Sequence, residues 1–261
     1  DIVAESPVKD IKEIKKYKFP DPYASYRFKH IEKIKENLKP GKAIILNIRD
    51  IFSDLRDVFG YENALINLIT NPAEVKEFLE RVIEYNRALA EIAYKKYGID
   101  ILVTTDDIAD NNGLIFGPKI FFELFGPKFK EVINGFKKIG YYCIKHTDGN
   151  IMQIMDFLVD SGIDCIDPID PTANMDIRFI KRKYGKRLCI KGNINCTTTL
   201  VNGNLEDVSQ EVKDCIKYAG YKGGYILSSS NTIHSGVKFE NFLKMVETAK
   251  KYGNYPIGEI Y

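Results

Sequence analysis

Six times along this chain a short, unbroken apolar run ends in a polar cluster, and a helical stretch leads on to the next run. The runs lie at about 43–48, 100–105, 141–146, 162–167, 187–190 and 224–227. Strands that are apolar throughout, rather than alternately, are buried on both faces. That burial implies parallel strands with crossover helices packed over them. The chain is therefore expected to be α/β. Between the runs the helix signals are local. Asn71 and Pro72 read as N-cap and first position of a helix reaching Tyr97, with Glu74 completing a capping box and Gly98 the stop. Two helices open on Gly-Pro, at Gly117 and Gly126, and others are expected at about 25–38, 62–69, 151–161, 175–184, 205–219 and 239–252. Residues 1–40 read as a lead-in.

Composition narrows the function classes. The 261 residues suffice for one large or two small domains, and 44% hydrophobic content supports a full core. Lys and Arg number 38 against 36 Asp and Glu, so the net charge of +2 gives no electrostatic basis for a nucleic-acid or membrane partner. Five cysteines without paired spacing point to a reducing, cytoplasmic setting. No Gly-rich phosphate loop follows any strand, and no nucleophile elbow is present, which sets aside dinucleotide binding and serine hydrolysis.

The polar clusters all follow the strands, at the end that carries chemistry in parallel α/β folds. The third run delivers Lys145, His146 and Asp148. Residues i and i+2 of a strand share a face, so the imidazole and carboxylate meet in one site if the strand persists as far as Asp148. His146 then serves as a metal ligand with Asp148, as a general acid or base, or as a buried histidine satisfied by a neighbouring carboxylate. Asp106, Asp107 and Asp110 follow the second run; one of them is expected to cap a helix, and at most one of the adjacent pair faces the site while the other holds a neighbouring loop. Asn47 and Arg49 follow the first run, Asp167 and Asp170 the fourth, Asn193 and Asn195 the fifth, and Ser230, Asn231 and His234 the sixth. These residues, with Asp106 and with Asn47 inside the end of its run, are expected to bind substrate; for the clusters after the last three runs the alternative is an ordinary turn or loop.

As an ordered set, His146-Thr147-Asp148-Gly149-Asn150, Gly192-Asn193-Ile194-Asn195 and Gly223-Gly224-Tyr225 through Ser228-Ser229-Ser230-Asn231-Thr232-Ile233-His234 resemble the uroporphyrinogen decarboxylase superfamily. Asp106-Asp107 followed by Gly113-Leu114-Ile115 and Pro118 extends the resemblance, which covers about 44–257. It implies a single (β/α)8 TIM-barrel domain, of which six strand–helix units are visible, and hence an N-terminally short or truncated chain. It also implies either decarboxylation of uroporphyrinogen in porphyrin biosynthesis or methyl transfer between a small methylated substrate and a corrinoid protein. The arginine-rich first-strand segment and the following aspartate of the decarboxylases have no counterpart here, and their late Gly-His-Gly stands as Ser-Asn-Thr-Ile-His. The coenzyme M methyltransferases bind zinc through His-x-Cys and a later cysteine; the matching positions here are His146, Asp148 and Ser230. The resemblance thus favours the O-demethylase-like branch, a zinc held by His146 and Asp148, catalysis by His146, Asp148 and Asp107, and a corrinoid carried by a partner protein. A non-catalytic barrel remnant that docks a partner is a further alternative. Unpaired strand edges in a six-unit chain would favour a homodimer.

Overall fold

The computed structural model describes residues 6–257. All six expected runs are strands, and all are parallel where paired within a ladder. The chain divides into two compact units, with residues up to 107, 116–145 and 160–162 in the first and the rest in the second.

In the first unit β1 (Ile45–Ile48) pairs with β2 (Ile101–Thr105) in the register Ile45 to Ile101 through Ile48 to Thr104. β2 leads to a two-stranded hairpin, β3 (Ala109–Asp110) and β4 (Gly113–Leu114), that belongs to the second unit. β5 (Tyr142–His146) lies beside β2. The helices of this unit are α1 (Lys29–Glu36), α2 (Phe52–Phe59), α3 (Tyr61–Thr70), α4 (Pro72–Tyr97), α5 (Gly117–Ile120) and α6 (Gly126–Ile139). α4 ends as expected at Gly98, whose φ of +63° suits the left-handed turn there. Its start differs: the Asn71 side chain makes no cap and turns back to Asn67 and Thr70, so Pro72 alone sets the first turn. α2 was not expected; its core-facing Phe52 and Phe59 pack edge-on against Phe125 and Phe78.

In the second unit β6 (Cys165–Ile169), β7 (Cys189–Ile194) and β8 (Tyr225–Ser229) are neighbours in that order. The helices are α7 (Met155–Asp160), α8 (Ile177–Tyr184), α9 (Thr199–Asn202), α10 (Leu205–Cys215) and α11 (Phe239–Tyr252). The capping box expected at Asn71 occurs instead at α10, where the Asn204 side chain accepts from the backbone of Asp207 and Asp207 reciprocates. Ile194, Leu200, Val208, Val212 and Met245 close a core between β7, α10 and α11. Each such aliphatic side chain contributes about 1.5–3 kcal/mol by leaving water. β7 continues beyond Ile190, so Asn193 lies within a strand, paired in register with Ser228. Among the described residues no helix is long and apolar enough to cross a membrane.

Candidate functional site

β5 delivers His146 at its last position, and the chain then turns through Asp148 and Gly149. Gly149 has φ +86°, and a Cβ there would stand 2.6 Å from the Asp110 carbonyl oxygen. Only glycine permits that approach, which lets the Asn150 N–H donate to the same carbonyl at 2.7 Å. The turn seats Asp148 beside the histidine, with Oδ1 4.0 Å from His146 Nε2. The two residues singled out in the sequence are thus brought together, by a turn and not by a continued strand.

Three further residues of the second unit fix this pair. Asp167, in the middle of β6, places Oδ2 3.2 Å from His146 Nδ1. Its other oxygen accepts from Lys191 Nζ on β7 at 2.6 Å. Asn231, after β8, donates from Nδ2 to Asp148 Oδ2 at 2.7 Å. Burial by itself would push the Asp167 carboxyl up, but the hydrogen bonds from His146 and Lys191 outweigh it and hold the carboxyl below the usual range. An ionised carboxylate only accepts, so Nδ1 of His146 carries the ring proton. In the neutral ring Nε2 then turns a lone pair toward Asp148 Oδ1. A ring nitrogen and a carboxylate oxygen at this separation are of the ligand types that can share a divalent cation.

The donor types are compatible with zinc, and the pair supplies two of the three or four protein donors that ion takes. Imidazole and carboxylate are both borderline-to-hard ligands of that ion, and a carboxylate behind Nδ1 is the usual support for a ligating histidine. The 4.0 Å separation equals two bonds of about 2.0 Å end to end. A tetrahedral angle requires the two donors to close by roughly 0.7 Å, within reach of side-chain rotation.

A cleft of about 470 Å³ adjoins Asp148 and is lined by Asp110, Asn112, Asp170, Thr172 and Asn231 among others, with no lysine or arginine. Asp170 and Asp110 are engaged in local turns: Asp170 Oδ1 accepts from the Thr172 N–H and hydroxyl, and Asp110 Oδ1 from the N–H groups of Asn112 and Gly113.

The other expected site residues are placed as follows. Asn193 donates to the Ile169 carbonyl at 2.7 Å and is buried. Asn195 Oδ1 accepts from Thr197 and Thr198 in a turn. Ser230 is buried against Cys196, donating to its Sγ at 3.6 Å. His234 is exposed, and its Nδ1 accepts from the Gly236 N–H within the same loop.

In the first unit, Asn47 accepts from the Thr105 hydroxyl at 2.9 Å, and Arg49 pairs with Asp57 and, at 3.6 Å, with Asp54. Asp107 follows β2 half-buried. Asp106 is fully buried and accepts from the N–H groups of Ile51, Phe52 and Ser53, so it anchors the loop that starts α2. Beside it Lys145 Nζ donates to Asp50 Oδ2 at 2.6 Å and to the Asp106 carbonyl at 3.0 Å. Burial would raise Asp106, but the donors around it hold it low; Asp50 is pushed well up by burial and by the Asp106 charge, against the pull of Lys145. The expectation that one of the adjacent aspartates holds a neighbouring loop thus applies to Asp106.

Sequence reasoning passed over Lys145 and Lys191 as parts of charge networks. Lys145 stands inside an apolar strand, and that placement is a usable signal, because a buried lysine demands a carboxylate; Lys191 follows an apolar run and is only half-buried.

Comparison with known proteins follows the same lines. A methyltransferase from Methanosarcina mazei superposes with a TM-score of 0.73 at 17% identity, over 86% of this chain. The chain spans 63% of the length of that structure. This likeness establishes an α/β fold of the TIM-barrel type. A sugar phosphate isomerase/epimerase from Parabacteroides distasonis (TM-score 0.42, 10% identity, 85% of this chain and 99% of the other) and an L-ribulose 3-epimerase (0.46, 14%, 88% and 74%) are too distant to bear on either fold or function. A search of curated proteins gives no match. The family model described as uroporphyrinogen decarboxylase (URO-D) matches residues 2–252, and the chain belongs to that family.

Proposed function

We propose that this chain is a zinc-dependent methyltransferase of the family, moving a methyl group between a small methylated substrate and a corrinoid protein. The observation that carries the reading is the opposed pair, His146 Nε2 and Asp148 Oδ1, with Asp167 fixing the imidazole from behind. Zinc bound there supplies a Lewis acid at the substrate heteroatom that loses or gains the methyl group. The chain's own residues do the rest. Asp167 keeps the ring proton on Nδ1, Lys191 keeps Asp167 charged, and Asn231 holds Asp148 from its far oxygen. The adjoining cleft receives the substrate.

The family's name suggests the rival activity, decarboxylation of uroporphyrinogen. That substrate carries many carboxylates, and a cleft with aspartates and no cationic side chain repels it. A small neutral or cationic methyl donor meets no such opposition.

Two measurements test the reading. Zinc titration of the metal-free protein should show one tight site that His146→Ala removes. The zinc-loaded protein should then methylate a Co(I) corrinoid protein from at least one member of a panel of methoxylated aromatics and methylamines; Asp107→Asn, changed in the same assay, reads the part of that carboxylate. Absence of zinc binding refutes the metal site, and turnover of uroporphyrinogen to CO2 would replace the proposed reaction with its rival.

A further inference from the structure

Two thiols meet on the second unit in a place the proposed reaction does not use. Cys165 opens β6 and Cys189 opens β7, and the two are paired residues of the parallel ladder. Neighbouring strands lie about 4.7–4.9 Å apart, inside the roughly 4.4–6.8 Å range of Cα separations that a disulfide spans. Cys165 is buried at 4% exposure, whereas Cys189 is half-buried and is the thiol a solute meets first. The Lys181 ammonium, held by the Gly223 and Gly224 carbonyls, adds positive charge beside Cys189.

The pair is also polarised. The neighbouring thiol and burial together push Cys165 up, whereas the neighbouring thiol and the Lys181 charge draw Cys189 down against burial. A thiol held below its ordinary range carries more thiolate near neutral pH than a free cysteine does. One sulfur is a half-buried nucleophile and the other a buried, protonated neighbour.

We infer that Cys189 and Cys165 form a reversible thiol–disulfide site, Cys189 attacking and Cys165 resolving, toward small soluble disulfides such as glutathione disulfide. In the first step the Cys189 thiolate forms an S–S bond with one sulfur of the small disulfide and expels the other as a thiolate. In the second, the Cys165 thiol gives up its proton to solvent and attacks Cys189 Sγ, and the remaining small thiolate leaves. The two protein thiols are oxidised, one small disulfide is reduced to two small thiols, and no other oxidant is required. A direct link across adjacent parallel strands asks the Cβ atoms to approach to about 3.5–4.5 Å, closer than the strand spacing, so the bond is strained and readily reduced again.

The test uses the reduced full chain, exposed to glutathione disulfide near pH 7.5, quenched by alkylation and mapped by peptide mass spectrometry. The expected product is a Cys165–Cys189 linked peptide pair that dithiothreitol returns to two free thiols. In Cys165→Ser, which keeps a hydroxyl donor beside Cys189, a glutathione adduct should accumulate on Cys189; in Cys165→Ala, which lacks the donor, it should form several-fold more slowly. Wild-type protein in which Cys189 stays unreacted, or carries a persistent adduct without linking to Cys165, overturns the inference. So does a Cys189→Ser variant whose Cys165 reacts as fast as in the wild type. The wild-type result decides the matter by itself if a variant fails to fold, and none of these readouts depends on the proposed methyl transfer.

Discussion

Replacing Lys145 by methionine should be among the most damaging single changes in the first unit, and the damage should depend on pH in a defined direction. Lys145 Nζ lies 2.6 Å from Asp50 Oδ2, and both side chains are about 1% exposed. At an effective dielectric near 20, that contact is worth about 6 kcal/mol of gross attraction. Part is offset by the desolvation of both charges, and broken buried pairs generally lose about 3–5 kcal/mol. Lys145→Met should therefore lower the unfolding free energy by about 3–5 kcal/mol at pH 7.5, read from urea midpoints at constant slope. The sign of the pH effect follows from the two carboxyls. Asp106 is held low in the fold, so its contribution is present above its unfolded value and is lost only in acid, as pH falls through its folded pKa. Asp50 is raised, so folding favours its neutral form, and its contribution is lost as pH rises through the folded pKa. Without the lysine Asp50 is raised further. The deficit of the variant should shrink as pH falls from 7.5 toward 5.5, by no more than about 1.4 kcal/mol per pH unit. Adding Asp50→Asn to the variant should recover a similar amount at pH 7.5, because it removes the uncompensated charge. A loss under 1 kcal/mol, or a deficit that grows toward acid pH, would refute this account of the triad.

Two further perturbations bear on the second unit. Asp167→Asn leaves the shape but puts an amide behind His146, whose N–H₂ can drive the ring proton onto Nε2; zinc affinity should fall by about 10–100-fold in a chelator competition, and an unchanged affinity would remove Asp167 from the positioning role. Gly149→Ala meets both a φ of +86° and a Cβ only 2.6 Å from the Asp110 carbonyl; the backbone conformation alone is worth about 1–2 kcal/mol, so a thermal midpoint within a degree of wild type would show that the turn is not held against Asp110.

What the sequence revealed, and what it withheld, divides along physical lines. The six strands were legible because double-sided burial writes itself as an apolar run, independent of which neighbours do the burying. The end of β7 was not, since Gly192 and Asn193 have turn chemistry by themselves; the ladder to Leu227 and Ser228 extends the strand over them. Asn71 makes no cap because its side chain is turned back, with Nδ2 donating to Asn67 Oδ1 and Thr70 Oγ1. A spacing of two would have joined His146 and Asp148 only in a strand running on to Asp148; the strand ends at His146, and the turn at Gly149 brings the carboxylate back instead, while Asp167 lies 21 residues from His146 and reaches it only through the second unit's fold.

The two lysines carry this reasoning furthest. Lys145 interrupts an apolar strand and Lys191 follows an apolar run, and each is found on an aspartate at 2.6 Å. Their jobs differ because their aspartates differ. Asp50 is sealed from water, and its partner Asp106 spends both oxygens on the backbone of 51–53, so that network locks a loop. Asp167 keeps one oxygen for Lys191 and turns the other to His146, so the same kind of ion pair becomes a device for setting a tautomer. Removing Lys145 should therefore register in stability, whereas removing Lys191 should register in metal affinity, with little loss of fold because its side chain is 27% exposed and the charge it leaves behind still has His146. Were Lys191→Met to destabilise the protein as strongly as Lys145→Met while leaving zinc binding intact, the assignment of one network to the scaffold and the other to the site would be wrong.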